Sequence, residues 1–225
     1  MLLSFQHTAF IYFVSRLLQC APNANTVTYT SPTSSAIFCA PTATTLTATL
    51  KAASFVNATL AMADTITITA GAADTVIVKA INLTTLTLST PVATFINVTA
   101  PVAIVLDLSG PIAATVHLDA SLSKKITLNA EVAGVVYITS ESSQTVYLTA
   151  PNATRTYVRA IEGSTINIDA HKASPIIVDA PMTNTFTVTG ADNCNVYDNV
   201  PSTATKTINP ASAHEFALST FSGPY

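Results

Sequence analysis

The residues best equipped for chemistry in this chain are its aspartates, one histidine–tyrosine–arginine group and three cysteines. Glycosidic-bond cleavage needs two carboxylates facing each other across a groove, and Asp107/Asp119 and Asp169/Asp179 are the pairs to consider. His117, Tyr137 and Tyr157 recur at intervals of twenty, with Arg155, Arg159 and Asp119 nearby. Aromatic rings with hydrogen-bonding neighbours stack against a sugar or another protein. His7, His117, His171 and His214 are scattered, without metal-ligand spacing. There is no glycine-rich phosphate loop and no Ser-His-Asp set in a strand–turn context. No cofactor and no metal are expected.

What these residues can do depends on the elements that position them, and those are legible from a repeat. From about residue 31 to 190 the last digit of the residue number predicts the residue type. Positions ending in 6 and 8 are aliphatic, as in Ile66/Ile68, Val76/Val78, Leu86/Leu88 and Ile96/Val98. Positions ending in 0 and 3 are mostly small. Pro41, Pro91, Pro101, Pro111, Pro151 and Pro181 open their decades. Residues 5 to 10 of each decade alternate polar and apolar, the period of a strand with one buried face. Residues 1 to 4 form a turn, where proline removes no ladder N–H. One decade alone buries two aliphatics, worth about 2 kcal/mol each. Ordering ten residues costs on the order of 10 kcal/mol, so a decade must stack on copies of itself.

Two arguments set the number of decades per coil at two. Val, Ile, Leu and Ala are too small to fill a wide three-sided coil, but they fill the gap of roughly 10 Å between two facing sheets. The outward positions also sort by twos. In the even decades from 41 to 190, threonine fills 15 of 24 outward positions; in the odd decades from 31 to 180 it fills 5 of 24. The expectation is an all-β, single-stranded β-solenoid of ten-residue strand–turn repeats. It has two repeats per coil, about eight coils and non-repeat ends, with one threonine-rich face and one mixed face. Asp107 and Asp119 then lie on opposite faces, as do Asp169 and Asp179, which counts against paired-carboxylate hydrolysis. A meander of hairpins is the rival fold, but it needs Asn-Gly, Asp-Gly or other glycine turns, and the chain has six glycines and no such dipeptide.

In this arrangement the chain resembles β-solenoid repeat proteins in general. Its threonine-rich face resembles in part the threonine ladders of β-solenoid antifreeze proteins. The carrying residues are Thr45, Thr47 and Thr49, Thr65, Thr67 and Thr69, Thr85 and Thr87, and Thr185, Thr187 and Thr189. The resemblance implies ordered water on a flat sheet and hence ice as a binding partner. Val105, Asp107, Lys125 and Tyr147 interrupt the array in the middle. On the mixed face, His117, Tyr137, Tyr157, Arg155 and Arg159 form a candidate glycan-binding stripe.

Composition narrows the partners further. Charged residues are 9 % of the chain, well below the roughly 25 % of ordinary domains, and the net charge is −3. Serine and threonine, about a quarter of the residues, supply the polarity instead. Such a surface cannot release counterions from phosphates, so nucleic acid is excluded as a partner. No transmembrane span is expected. Residues 1–30 read as a signal peptide or an N-terminal capping segment; Phe10, Phe13/Val14 and Leu17/Leu18 would share one face of a capping helix. Residues 191–225 lose the repeat, with Asp198 on a core position, and read as a C-terminal capping or assembly segment.

Cys39 and Cys194 fall at opposite ends of the rod, too far apart for a disulfide, whose Cα atoms lie within about 7 Å. Cysteines are therefore expected as lone thiols. The functional expectation is a secreted or surface-located, non-enzymatic structural protein. It self-associates end to end into a coat, filament or adhesive layer, with ice or glycan binding as the alternative and a polysaccharide-acting enzyme as the least favoured reading.

Overall fold

Ile66 stands beside Leu86, and Val76 beside Ile96. Residues twenty apart are thus vertical neighbours, and the chain winds two decades to a circuit. The structure is a computed structural model that describes residues 8–11, 17–20, 25–31, 36–39, 43–110 and 112–223. Among these, twenty strands run in chain order. The first six are β1 (Thr8–Ile11), β2 (Leu17–Cys20), β3 (Thr26–Ser31), β4 (Ala36–Cys39), β5 (Thr45–Leu50) and β6 (Ala53–Ala70). Then follow β7 (Ala73–Ser89), β8 (Val92–Thr99), β9 (Val102–Ser109), β10 (Ile112–Asp119), β11 (Leu122–Asn129), β12 (Val132–Ser140) and β13 (Ser142–Thr149). The last are β14 (Arg155–Ala160), β15 (Thr165–Asp169), β16 (Ile176–Asp179), β17 (Thr185–Thr189), β18 (Asn195–Asp198), β19 (Thr205–Asn209) and β20 (His214–Ala217). A single 3-10 turn, Leu218–Thr220, follows.

Every strand pairing is parallel, and pairings join odd with odd or even with even strands except where β6 and β7 turn a corner. Two ladders result, wound into one β-solenoid of about 9 turns. One face carries β1, β3, β5, the second halves of β6 and β7, then β9 through β19 by odd numbers. The other carries β2, β4, the first halves of β6 and β7, then β8 through β20 by even numbers. The register is twenty residues from Ala36↔Val56 to Thr189↔Asn209. It shortens at both ends, to eighteen in Thr8↔Thr26 and nineteen in Asn195↔His214.

The interior is one continuous apolar column. Positions 6 and 8 are buried as the alternation requires, and so are positions 3 and 0, among them Ala63, Ala70, Ala93 and Ala100. Each decade therefore contributes four inward residues rather than two. The mostly small residues at 3 and 0 sit where the chain bends between faces, although Leu50, Leu60 and Leu83 are buried there as well. At Gly110 an added Cβ would come within 2.6 Å of the Ile96 Cδ1. Where serine replaces alanine, the hydroxyls satisfy one another: Ser143 lies 2.8 Å from Ser123 and 2.5 Å from Ser140, all three buried.

The ends differ from expectation in three respects. First, Thr8–Ile11 and Leu17–Cys20 are strands of the coil, so Phe10 and Leu17/Leu18 do not share a capping helix; Phe13 and Val14 lie outside the described residues. Second, the coil runs on through β19 and β20, although residues 201–225 break the apolar rhythm. With β1 to β3 in the ladders as well, the coil extends past the expected repeat at both ends and makes about nine turns instead of eight. The backbone ladder needs only extended residues, and it persists while the inward side chains become charged. Third, Cys39 is disulfide-bonded rather than a lone thiol. Cys20 is its register neighbour on β2, nineteen residues away instead of twenty, which the decimal numbering conceals. Cys194 is free and buried, and burial pushes its thiol pKa up.

Candidate functional site

Threonine at the outward positions of the first ladder forms a tight array at its N-terminal end. Thr45, Thr65 and Thr85 are consecutive neighbours, as are Thr47, Thr67 and Thr87. Strand β3 adds Thr26, Thr28 and Thr30 against Thr45, Thr47 and Thr49. Four rungs thus present three columns in which only Ser89 is not threonine. The nineteen-residue step from β3 to β5 puts Thr26, Thr28 and Thr30 out of decimal phase, so sequence reasoning missed them. The array ends at Val105, Asp107 and Ser109. Thr185 and Thr187 lie on the same face but four rungs beyond that break, beside β15 and β19. They are not part of the array.

On the second ladder the expected stripe is present. His117, Tyr137 and Tyr157 are successive register partners. Ring centroids are 6.1 Å apart for His117–Tyr137 and 6.2 Å for Tyr137–Tyr157, with interplanar angles of 74° and 56°. The rings meet edge-on and tilted rather than forming one flat platform. Arg155 and Arg159 flank Tyr157 on β14, and Arg159 Nε lies 3.3 Å from Asp179 Oδ2. Asp179 also accepts from Asn199 Nδ2 at 2.6 Å.

The same column continues upward as Ile177, Tyr197 and Phe216. Ile177 points outward yet is buried. The turn Leu218–Thr220 packs against β16 and β18. Tyr197 stacks on Phe216 at 5.2 Å and meets Phe221 edge-on at 5.0 Å. The C-terminal segment thus covers the upper end of the stripe, while His117 is exposed and Tyr137 and Tyr157 are half-buried.

The carboxylates do not converge. Asp107 is on β9 and Asp119 on β10, and Asp169 on β15 and Asp179 on β16, so each pair is split between faces. A shallow depression on the first face is lined by Tyr147, Thr149, Asn167, Asp169, Thr187 and Thr189. It holds one carboxylate, and Asp169 contacts the His171 imidazole. Among the described residues, no group of three or more His, Cys, Asp or Glu side chains is placed to hold a metal ion. No helix there is long and apolar enough to cross a membrane.

A charged group absent from the expectation closes the C-terminal end of the column. Lys206 occupies an inward position, in register with Phe186. Its Nζ donates to Asp198 Oδ1 at 2.8 Å and to Glu215 Oε1 at 2.5 Å. Asp198 and Glu215 hold inward positions on β18 and β20, in register with Val178 and Val196 respectively. Burial lowers the Lys206 pKa, but the hydrogen bonds and charges of the two carboxylates outweigh it and the net shift is upward.

The fold and its faces define a flat parallel β-solenoid. No protein-family model, curated protein or solved structure matches the chain.

Proposed function

We propose that this chain is a non-enzymatic structural protein, a rigid rod that self-assembles into a coat, filament or adhesive layer at a cell or particle surface. The observation that carries the reading is the constancy of the coil. The twenty-residue register holds without insertion from Ala36 to Asn209. Such a rod offers walls and edges, and enzymatic clefts are built from loops that it lacks. The disulfide at Cys39 supports an oxidising compartment and hence secretion or surface display. The closing group Asp198, Lys206 and Glu215 argues against end-to-end joining at the C-terminus, because a second copy stacked there would desolvate charge. Electron microscopy and sedimentation of purified protein test the reading: ordered assemblies support it, and a strictly monomeric particle at high concentration overturns it.

One observation favours a second reading, a binding face for ice. The unbroken four-rung array from Thr26 to Thr87 is larger and more regular than the sequence indicated. Thermal hysteresis that disappears in Thr67→Tyr supports this reading, and its absence from the unaltered protein ends it.

A further inference from the structure

We propose that the two narrow edges of the coil bind each other between copies of this chain, so that rods associate side by side. This rests on the assembly reading above and specifies its surface.

The second residue of each decade sits on a corner of the coil. Along one edge these residues are Ala52 and Ala72, then Val92, Ile112 and Val132, then Asn152 and Lys172. Val92, Ile112 and Val132 are register partners on three consecutive rungs. Along the opposite edge, at the same height, Val102 and Leu122 are partners and Ile104 stands beside them. All six are between 41 and 52 % exposed. Isolated exposed aliphatics are ordinary on protein surfaces, whereas contiguous ones mark contacts. Here they are contiguous on both edges at the middle rungs; on the second edge Met62 and Ile81 continue the exposed apolar surface to lower rungs, and Met182 stands apart near the C-terminal end.

The occupant is a second copy because the two edges complement each other. A copy displaced sideways by one rod width, without rotation, brings Val102, Ile104 and Leu122 against Val92, Ile112 and Val132. Charge follows the same geometry. Glu131 is exposed next to Val132 on one edge, and Lys124 is exposed next to Leu122 on the other. Only seven residues of the coil separate them, so they are nearly level. Neither has an ion-pair partner within the chain among the described residues. In the displaced copy Lys124 meets Glu131. The contact is heterologous and does not close, so it generates a sheet of parallel rods. One such ridge is small against the roughly 800 Å² per partner of a stable interface. Single pairs are therefore weak, and repetition on both edges strengthens the layer.

Sedimentation velocity of the full chain over a wide concentration range, with electron microscopy of the concentrated sample, tests this. The unaltered protein should gain mass with concentration and form flat rafts. Ile112→Lys and Leu122→Lys should each weaken association by at least about tenfold, with circular-dichroism melting unchanged because both positions are exposed. Glu131→Lys and Lys124→Glu should each weaken it, and the two together should restore it. If the unaltered protein assembles but Ile112→Lys and Leu122→Lys assemble equally well, or if it forms filaments one rod wide, the edges are not the contact and only the assembly reading survives. If it stays monomeric throughout, both fall.

Discussion

Lys206 stands over Phe186 in the inward column, its Nζ 5.7 Å from the ring centroid, and reaches across the coil to Asp198 on the facing ladder. The aliphatic interior ends there. Asp198 is 5 % exposed; its Oδ1 accepts from Lys206 Nζ and from the Val200 N–H, and its Oδ2 has no hydrogen bond.

Lys206→Ala should lower stability by about 2 kcal/mol, since it strands a buried carboxylate. Lys206→Met combined with Asp198→Val should recover most of that loss by extending the apolar column. Urea unfolding of the single and paired variants measures both effects. The upward pKa of Lys206 adds a pH signature. A lysine raised in the folded state contributes stability that is full below its ordinary value of 10.5 and is lost as pH rises through the shifted value. The unaltered protein should lose melting temperature at strongly alkaline pH, by more than the paired variant does.

Leu86→Ala should cost about 2–5 kcal/mol, because Leu86 is fully buried between Ile66 and Leu106. Thr87→Ala, one residue away on the solvent side, should change stability by no more than about 0.5 kcal/mol. Equal effects in urea unfolding would contradict the assignment of inside and outside.

The ease of that assignment reflects what a strict repeat encodes. Alternation at Ile66, Thr67 and Ile68 specifies the strand and its buried face, and the threonine count specifies two decades per coil. The failures came where the decimal phase slips or the inward residue is no longer apolar. Thr26, Thr28 and Thr30, and Cys20 against Cys39, are displaced by one residue in the first coils. Lys206 and Glu215 interrupt the apolar rhythm although their strands remain in the ladder. Ile177 is outward by alternation, yet it is buried on β16, against which the Leu218–Thr220 turn packs. The edge ridge at Val92, Ile112 and Val132 emerges only from the alignment of the corners in the folded coil.

Thiol titration should follow the state of the cysteines. In the native protein no thiol should react readily, since Cys39 is bonded and Cys194 is buried with a raised pKa. Unfolding without reductant should expose the Cys194 thiol alone, and adding reductant should bring the count to all three cysteines. Reaction of Cys39 before reduction would contradict the bond.

The winding itself is tested most directly by the distance between spin labels at Thr47→Cys and Thr187→Cys, measured by pulsed dipolar spectroscopy. Seven register steps link these positions on one face. At a strand spacing of about 4.8 Å the backbone separation is about 34 Å. A separation near 22 Å, as thirty residues per coil would give, or near 67 Å, as an open sheet of successive decades would give, would contradict the two-decade coil.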